Sequence, residues 1–356
     1  MQITHVEVNP LILRLRIPYR TAYHAEGPIA QIGTVFIRLE TRRGEVAWGC
    51  AAFDPSITGE TLVDVTAACQ RCADRAPDLN PLNIEYALAQ LEPLTTGCPS
   101  ALCAFDIGLH DLLGLATGQP LYRLLGGFRD RIPTSITVSI APVKETVEMA
   151  CDRARQGFRI LKLKGGLDAE TDVRRVQAVC DALPHVVVRL DADGGYTVKD
   201  AIAVARALAG RLEMLEQPVA PEAGVLALRQ VTEQSPLPIF ADQSVIGTGS
   251  ALEIAGQRAA DGMSIKLATC GGIRQGRQVD ALARAARLAT MVGCVHEPAL
   301  LIAAELAFAL SSPTVRYSDL DGHFDLIDDP TQVGFAVNDG ELIATDVPGL
   351  GCTVRL

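Results

Sequence analysis

Charged residues recur at nearly regular intervals through the second half of this sequence. Each one ends a short apolar run, in LKLK, VVVRLD, EMLE, PIFAD and MSIK, and the residues are Lys164, Asp191, Glu216, Asp242 and Lys266. Runs of this length, each separated by room for a helix, are typical of strands that alternate with helices. Because the carboxyl ends of parallel strands meet at one face of a barrel, we expect these five side chains to converge on one site.

Three of these residues are carboxylates. If Asp191, Glu216 and Asp242 lay together unpaired, they would repel one another and raise each other's pKa. A divalent cation removes this repulsion, and an all-oxygen ligand set favours Mg²⁺. Zinc would more often recruit His or Cys, and neither ends these runs. The sequence therefore predicts one Mg²⁺ in each active site.

Lysine is rare in this chain, since five lysines stand among 32 basic residues. Lys162 and Lys164 are two apart on a strand, so their side chains share a face. Neighbouring ammonium groups and a metal disfavour the charged form and should lower a lysine pKa towards neutrality, as a general base requires. In an eight-stranded barrel, the second strand faces the sixth, which carries Lys266.

A carbon held between Lys164 and Lys266 could lose its proton to one amine and gain a proton from the other. That transfer inverts a stereocentre through an enediolate, which Lys162 and the metal would stabilise. Asp319 and Asp321 follow the last strand and are also two apart, so both can offer a carboxylate to an α-ammonium group. The alternative is a solvated acidic loop together with the aspartates at 325, 328 and 329.

The elements before residue 129 are strands followed by helices, the order of an α+β domain. Strand patterns cover 3–15, 31–40 and 44–50, and helical patterns cover 59–75, 83–91 and 100–117. We therefore expect an N-terminal α+β domain over 1–128.

Eight apolar runs alternate with seven helical patterns from residue 129 onward. The runs are 135–140, 159–164, 186–191, 213–216, 238–242, 263–267, 291–295 and 315–320. This rhythm predicts a parallel α/β barrel over 129–325. A doubly wound open sheet is the competitor, but it usually has a glycine-rich fingerprint after its first strand, and none follows Ile140. Residues 326–356, with a hairpin turn at Asn338-Asp339-Gly340, should return to the first domain.

Composition excludes several classes of protein. The 356 residues carry a net charge of −10, which disfavours nucleic-acid binding because phosphate affinity depends on Lys and Arg. The N-terminus has no basic segment followed by an apolar one, so we expect no signal peptide. No apolar run is expected to reach the ~20 residues of a membrane helix. The ten cysteines are scattered, which favours buried thiols in a reducing cytoplasm over disulfides.

Several motifs together resemble one known family. They are SALCAFDIGLHDLLG and LLGG (within 100–127), LKLK (161–164), LDADGGY (190–196), LEQPV (215–219), ADQSV (241–245), IKLATCGGI (265–273) and SDLDGH (318–323). They resemble the muconate-lactonizing subgroup of the enolase superfamily (the mandelate racemase and muconate lactonizing enzyme group), nearly end to end. Within that subgroup, the Asp-Leu-Asp of the last motif resembles the dipeptide epimerases.

This resemblance implies an α+β capping domain, completed by the C-terminal tail, on a modified TIM barrel of the (β/α)7β type. It implies Mg²⁺ on the three carboxylates and acid/base roles for Lys164 and Lys266. Lys162 carries over as an electrostatic partner of the substrate carboxylate. Asp319 and Asp321 carry over as ligands of the substrate's N-terminal ammonium.

The chain also departs from the subgroup's pattern. Asp193 stands where Asn is usual, and Gln243 stands where Glu is usual. His24 stands where an Ala-Glu epimerase would have an arginine for the side-chain carboxylate, which favours an apolar guest over an acidic one.

Four residues would suit such an apolar guest: Tyr19, Tyr23, Phe53 and Ile57. Thr137, His24 and His296 complete the predicted substrate-binding set. Glu297 is a further candidate for the wall of the pocket, because it follows His296 at the end of the seventh strand.

The sequence therefore predicts an isomerase that epimerises the C-terminal residue of a dipeptide, with Mg²⁺ as cofactor and a small molecule as partner. Muconate cycloisomerisation, o-succinylbenzoate synthesis and N-succinylamino acid racemisation remain alternatives on the same site. A non-catalytic ligand-binding scaffold is the alternative from another class. No nucleic acid or membrane partner is expected, and the sequence leaves open whether the chain forms a homo-oligomer.

Overall fold

The computed structural model describes residues 1–24 and 27–356. Its N-terminal part begins with an antiparallel sheet of β1 (Ile3–Tyr19), β2 (Ile29–Thr41) and β3 (Val46–Ala52). Helices follow: α1 (Pro55–Thr58), α2 (Leu62–Arg75), α3 (Ile84–Leu91), α4 (Pro99–Thr117) and α5 (Leu121–Leu125). The expected order of strands before helices is confirmed.

Strands and helices then alternate through the middle of the chain. The strands are β4 (Arg131–Pro133), β5 (Ile136–Val138), β6 (Ile160–Lys164), β7 (Val187–Asp191), β8 (Leu215–Glu216), β9 (Ile239–Ala241), β10 (Gly262–Ile265), β11 (Ala289–Gly293) and β12 (Val315–Asp319). The helices are α6 (Val143–Arg155), α7 (Ala169–Ala182), α8 (Val198–Ala207), α9 (Val225–Gln234), α10 (Thr248–Gln257), α11 (Leu267–Cys270), α12 (Ile273–Ala286) and α13 (Ala299–Ser311).

Strands β5 to β12 form a parallel sheet in which neighbours in space follow the order of the chain. A doubly wound sheet would reverse its strand order at a switch point, so this topology excludes it. The two ends of the sheet meet where the amide of Ser135 donates to the carbonyl of Ser318 at 3.1 Å. The sheet is thus nearly closed into a barrel, and the predicted fold class is confirmed.

Helix α4 connects the N-terminal sheet to the barrel. It packs on β3 and contacts α11, and the carboxylate of Asp106 accepts hydrogen bonds from the amides of Ile273 and Arg274 at the start of α12. With 19 residues, α4 is long and apolar enough to cross a membrane by length and composition alone. However, 78% of its most apolar window is buried inside the protein, as in a core helix.

The last residues form short strands: β13 (Thr331–Gln332), β14 (Phe335–Asn338), β15 (Glu341–Ala344) and β16 (Thr353–Val354). β14 and β15 form a hairpin, and β15 also pairs with β4 before the barrel. Beyond the hairpin, the amide of Leu350 donates to the carboxylate of Asp111 in α4 at 2.7 Å. The tail therefore contacts both β4, the strand that precedes the barrel, and helix α4 of the N-terminal part.

The apolar core is divided between the two parts of the chain. One cluster fills the space between the N-terminal sheet and its helices, and a larger one lies between the barrel strands and the helices around them. Burial of this apolar area is the main favourable term that holds the strand ends in place. A rigid frame of this kind is what fixes polar side chains at the rim of a barrel.

Candidate active site

The two lysines of β6 are buried among carboxylates. The Nζ atom of Lys162 lies 2.9 Å from Asp191 Oδ2, 3.1 Å from Glu216 Oε2 and 2.6 Å from Asp319 Oδ2. The Nζ atom of Lys164 lies 2.7 Å from Asp191 Oδ2 and 2.9 Å from Asp193 Oδ1. Both side chains therefore point to the same face of the strand, as their spacing predicts.

Lys266 follows β10 and is also buried. Its Nζ atom donates to Asp242 Oδ2 at 2.7 Å. Its aliphatic stem packs against the backbone of β11, because a Cβ atom placed on Gly293 would lie 3.3 Å from Lys266 Cε. The predicted strand 263–267 ends at Ile265, and the chain turns at once into α11, whose first amide belongs to Leu267.

Asp191, Glu216 and Asp242 form the carboxylate cluster that their spacing predicts. One oxygen from each lies within 4.8 Å of the others, and all three residues are buried. Among the described residues, Glu216 Oε1 has no hydrogen-bond donor, and Oε2 contacts Lys162 Nζ at 3.1 Å. Burial, and then the neighbouring Asp191 and Asp242, raise the pKa of Glu216 to about 8. A buried, all-oxygen cluster that includes an oxygen atom without a donor fits Mg²⁺.

Close backbone contacts hold the loops after β6 and β7 together. Gly166 has φ +98°, and a Cβ atom there would lie 2.1 Å from the carbonyl oxygen of Ala192, so a larger residue would separate the loops. Asp193 has φ +46°, in the left-handed region that costs energy for residues other than glycine. Its Oδ1 atom accepts from Lys164 and, at 3.0 Å, from Gln243 Nε2. The two departures from the subgroup pattern thus contact each other.

Asp319 and Asp321 have different partners. Asp319 Oδ1 accepts from the hydroxyl of Ser135 at 2.6 Å, while its other oxygen is bound to Lys162. Asp321 Oδ2 accepts from the backbone amide of Thr137 at 2.6 Å. Burial and the nearby Asp319 raise the pKa of Asp321 to about 6. Asp321 therefore faces the cavity with less neutralisation by cations than Asp319.

These groups open into a cavity of about 470 Å³ between the barrel and the N-terminal sheet. Lys162, Lys164 and Lys266 line it together with Asp319 and Asp321. A volume in this range suits a small organic ligand. The cavity therefore brings together the three amines with Asp319 and Asp321, whereas the metal-binding triad is not among the residues that line it.

Of the other predicted pocket residues, some line the cavity and others do not. His296 and Thr137 line the cavity, and the ring of Tyr19 stacks edge-on to that of His296 at 4.2 Å between centroids. His24 is buried, with Nε2 3.3 Å from Asp54 Oδ2 and Nδ1 3.3 Å from the hydroxyl of Thr21. Glu297 is fully buried and lies behind the cavity wall rather than on it.

Of the residues suggested for an apolar guest, Tyr19, Tyr23 and Ile57 line the cavity. Phe53 is buried in the core of the N-terminal part instead. Its burial follows from its place directly after β3, whose residues pack on α4.

The lysine pKa values differ from the sequence expectation. Burial opposes the ammonium form of all three lysines, but the adjacent carboxylates overcome it and raise the pKa of each one above its ordinary value. Asp191 contributes most to this for Lys162 and Lys164, and Asp242 contributes most for Lys266. A divalent cation on the same carboxylates would oppose that attraction, so a neutral lysine depends on the cation's charge.

Sequence reasoning missed several residues of the site. Gln217 is buried and holds the loop after β9, since its Oε1 atom accepts from the amides of Asp242 and Ser244. Gln217 directly follows Glu216, so its place beside a predicted ligand was the available signal. Residues of α6, such as Met149 and Arg153, and Phe158 in the following loop also line the cavity, but no spacing rule indicates their orientation.

Comparisons with known proteins agree with this geometry. Residues 145–356 match the family model "Enolase C-terminal domain-like". The chain is 36% identical to the L-Lys-D/L-Arg epimerase of Desulforapulum autotrophicum over 99% of both chains.

Two solved structures are similar over almost the whole chain. The dipeptide epimerase of Enterococcus faecalis V583, complexed with Mg and L-Leu-L-Tyr, has a TM-score of 0.95 at 31% identity and covers 99% of this chain and 100% of its own. The dipeptide epimerase of Methylococcus capsulatus, complexed with Mg and L-Arg-D-Lys, has a TM-score of 0.93 at 32% identity and covers 100% of both chains.

The resemblance seen in the sequence motifs is thereby confirmed, as is Mg²⁺ as the cofactor. The buried triad of carboxylates fits this ion. This chain belongs to the enolase superfamily, in its group of dipeptide epimerases, and is an isomerase.

Proposed function

We propose that this enzyme catalyses a 1,1-proton transfer at the α-carbon of the C-terminal residue of a dipeptide. One observation carries the proposal: Lys164, Lys266 and Asp321 line the same cavity, two amines for proton transfer and one carboxylate for an ammonium group. The alternatives named above, which act on substrates without a free α-ammonium, would leave Asp321 without a cationic partner. A non-catalytic scaffold would have no use for three buried amines, whose burial is costly.

The substrate carboxylate is proposed to bind at the closed end of the cavity. Asp191, Glu216 and Asp242 would hold Mg²⁺ there. When bound, the cation supplies positive charge that stabilises the electron pair as it moves into the substrate carboxylate. Lys162 adds a second positive charge beside them, since Asp319, which is not one of the metal-binding carboxylates, contacts its Nζ atom at 2.6 Å and favours the ammonium form. Lys162 therefore acts electrostatically rather than as a base.

Lys164 and Lys266 are proposed to exchange protons with opposite faces of the α-carbon. One neutral amine takes the α-proton, the C–H bond breaks, and its electron pair enters the carboxylate to give an enediolate. The ammonium of the other lysine then donates a proton to the opposite face. The stereocentre is inverted, and the two lysines exchange their protonation states until solvent resets them.

The ammonium end of the dipeptide is proposed to bind at Asp321. The backbone amide of Thr137 fixes one oxygen of this carboxylate, and the Oδ1 atom lies 3.6 Å from the Sγ atom of Cys294. Asp319 adds negative charge nearby, although its oxygens already accept from Ser135 and Lys162. Charge-assisted hydrogen bonds of this kind are stronger than neutral ones.

We extend the proposal to an apolar side chain on the epimerised residue. Tyr19, Tyr23 and Ile57 present ring and aliphatic surface to the cavity. Asp54 also lines it, but its Oδ1 atom accepts from the amide and hydroxyl of Ser56, and its Oδ2 atom lies 3.3 Å from His24. These contacts hold the pKa of Asp54 down at about 2 despite burial. Both oxygens of this carboxylate already have partners within the protein.

The proposal is tested with mixtures of L,L-dipeptides in D₂O, read by mass spectrometry. We expect dipeptides with Leu, Phe or Met at the C-terminal position to gain one mass unit at least tenfold faster than those with Glu or Arg there. N-acetyl dipeptides and N-succinylamino acids are the matched controls, because they lack the free ammonium.

Faster exchange of N-succinylamino acids would assign the chain to racemisation instead. Faster exchange of dipeptides with C-terminal Arg would contradict the apolar preference while leaving epimerisation intact. Absence of exchange in every member of the mixture with Mg²⁺ present would contradict the activity itself.

We also propose that the enzyme acts in the cytoplasm. All ten cysteines are unpaired, and six of them are buried. Unpaired thiols in this number are typical of a reducing compartment. Microscopy of the chain fused to a fluorescent protein in its own host tests this location.

A further inference from the structure

Two glutamates lie fully buried behind Lys266, and proton transfer as described above uses neither. Glu305 is in the middle of α13, a helix whose residues from Ala299 to Leu310 are all buried. Glu297 is in the loop between β11 and α13. Both side chains have no exposed surface. Two ionised carboxylates are costly to keep in such an interior, so their presence calls for a physical reason.

Each glutamate fixes a segment of backbone that borders the active site. The Oε1 atom of Glu305 accepts from the amide of Leu267 at 3.2 Å, directly after Lys266. The Oε2 atom of Glu297 accepts from the amide of Val295 at 3.3 Å. Val295 in turn contacts the loop that carries Asp321, because a Cβ atom on Gly322 would lie 2.1 Å from its carbonyl oxygen.

The remaining oxygen of each glutamate has no donor among the described residues. These atoms are Glu297 Oε1 and Glu305 Oε2, and the two carboxyl groups are close enough for each to shift the pKa of the other. Two buried carboxyl groups without other donors can satisfy each other's oxygens only when one of them carries a proton to donate. Burial raises the pKa of both groups, to about 7 for Glu297 and well above the ordinary value for Glu305. The proton therefore belongs on Glu305.

We propose that Glu297 and Glu305 share one proton and act as a positioning pair for Lys266. Glu305 anchors the turn that follows Lys266, and Glu297 ties this anchor to the loop beside Asp321. This inference rests on the proposed two-lysine epimerisation, because it assigns the pair to one of the two amines. Neither glutamate contacts the substrate, so both are positioning residues rather than catalytic ones.

The first experiment separates positioning from general stability through deuterium exchange. Lys164→Ala and Lys266→Ala first establish which enantiomer of the substrate each lysine deprotonates. Glu305→Met keeps a chain of similar length but removes the acceptor of the Leu267 amide. We expect it to slow the Lys266-dependent exchange at least tenfold and to leave the Lys164-dependent exchange within threefold of wild type.

Glu305→Gln is the conservative rescue, since its amide group can donate to Glu297 while its oxygen still accepts from Leu267. We expect both exchange rates within threefold of wild type. Leu310→Ala is the matched control, because it opens a cavity at the far end of the same helix and should leave the ratio of the two rates unchanged. Equal slowing of both exchanges in Glu305→Met, or slowing of neither, would overturn the positioning role.

The second experiment tests the shared proton and needs only Glu305→Gln, which preserves the shape of the pair. The infrared difference spectrum of wild type minus Glu305→Gln at pH 8 should contain the carbonyl band of a protonated carboxylic acid. A difference spectrum with carboxylate bands alone would overturn the shared proton. Loss of exchange in the wild-type enzyme would instead count against the proposed function, so the two failures are distinguishable.

Discussion

The two lysine-bearing strands of the cavity hold their amines in different ways. On β6, Lys164 contacts the carboxylates of Asp191 and Asp193, and Lys162 lies beside it in the same network. After β10, Lys266 contacts Asp242 alone among the carboxylates that the structure describes, at 2.7 Å. Lys164 is held by two ion pairs. Lys266 is held by one ion pair, by packing against β11, and by the hydrogen bond of Glu305 to the amide of Leu267.

This difference teaches that two groups with the same proposed role need not be chemically equivalent. Two adjacent carboxylates favour the ammonium form of Lys164 more strongly than one carboxylate favours that of Lys266. We therefore expect the two enantiomers of a substrate to exchange their α-protons at different rates. Changes at β6 and at β10 should affect these rates separately, while changes shared by both should affect them equally.

Removal of the cation should have the largest effect on activity. It should slow the Lys164-dependent and the Lys266-dependent exchange alike. Chelation with EDTA is expected to lower the exchange of both enantiomers by about 10³-fold or more, because the charge that stabilises the enediolate is lost. Calorimetry should show Mg²⁺ binding that disappears in Glu216→Gln. Retention of exchange for either enantiomer in the chelated protein would contradict the role of the metal.

Asp321→Asn should weaken recognition of the substrate ammonium without distinguishing the two strands. Loss of a hydrogen bond to a charged group costs about 1.5–3 kcal/mol, which corresponds to a fall of roughly 10- to 100-fold in kcat/KM for both enantiomers. Asp328→Asn is the control, since Asp328 pairs with Arg14 at the surface. An effect confined to one enantiomer would show that Asp321 acts on a lysine rather than on the ammonium.

Asp193→Gly should affect the β6 side alone. It removes the acceptor shared by Lys164 and Gln243 but suits the positive φ of this position. We expect the Lys164-dependent exchange to fall about tenfold, or about 1.4 kcal/mol, and the other exchange to stay within twofold. In Asp193→Asn, which keeps an oxygen acceptor, the rate of the Lys164-dependent exchange should fall less. An equal decrease of the Lys164-dependent and Lys266-dependent exchange rates would contradict the separation of the two networks.

His323→Phe should change stability with pH and leave both exchange rates unaltered. Burial lowers the pKa of His323 to about 4, whereas an unfolded histidine titrates near 6.5. The unfolded chain therefore binds the proton first, and the free energy of unfolding falls as pH decreases from about 6.5 to 4.

At pH 5 this histidine should contribute about 2 kcal/mol of that loss. His323 packs against the rings of Phe324 and Phe335, so phenylalanine suits the site. Urea unfolding at pH 7.5 and pH 5 should show a smaller decrease in the variant. An identical decrease in both proteins would assign the acid sensitivity to other groups.

The sequence predicted the barrel and its charged rim well, because strand period and side-chain direction are local properties. Lys162 and Lys164 share a face by simple alternation, Asp191 and Glu216 end their strands, and Asp242 directly follows its own. The contact between Asp193 and Gln243 was less accessible, since it depends on a left-handed residue and on the loop after another strand.

The residues behind Lys266 could not be predicted in the same way. Glu305 is a charged residue in an otherwise apolar helical run, and the sequence pattern does not indicate which group it contacts. Its hydrogen bond to Leu267 spans the packing of a helix against the barrel, which spacing does not encode. The same reason applies to His24, whose contact with Asp54 depends on two loops that approach each other in space.

Deuterium exchange of separate L,L and L,D substrates with Lys164→Ala and Lys266→Ala tests the central claim most directly. We predict that each variant loses epimerisation by about 10²- to 10⁴-fold, the contribution typical of a general acid or base. Each variant should retain exchange with one enantiomer, and the retained enantiomer should differ between them. Epimerisation at the wild-type rate in either variant, or loss of the same enantiomer in both, would contradict the two-lysine account.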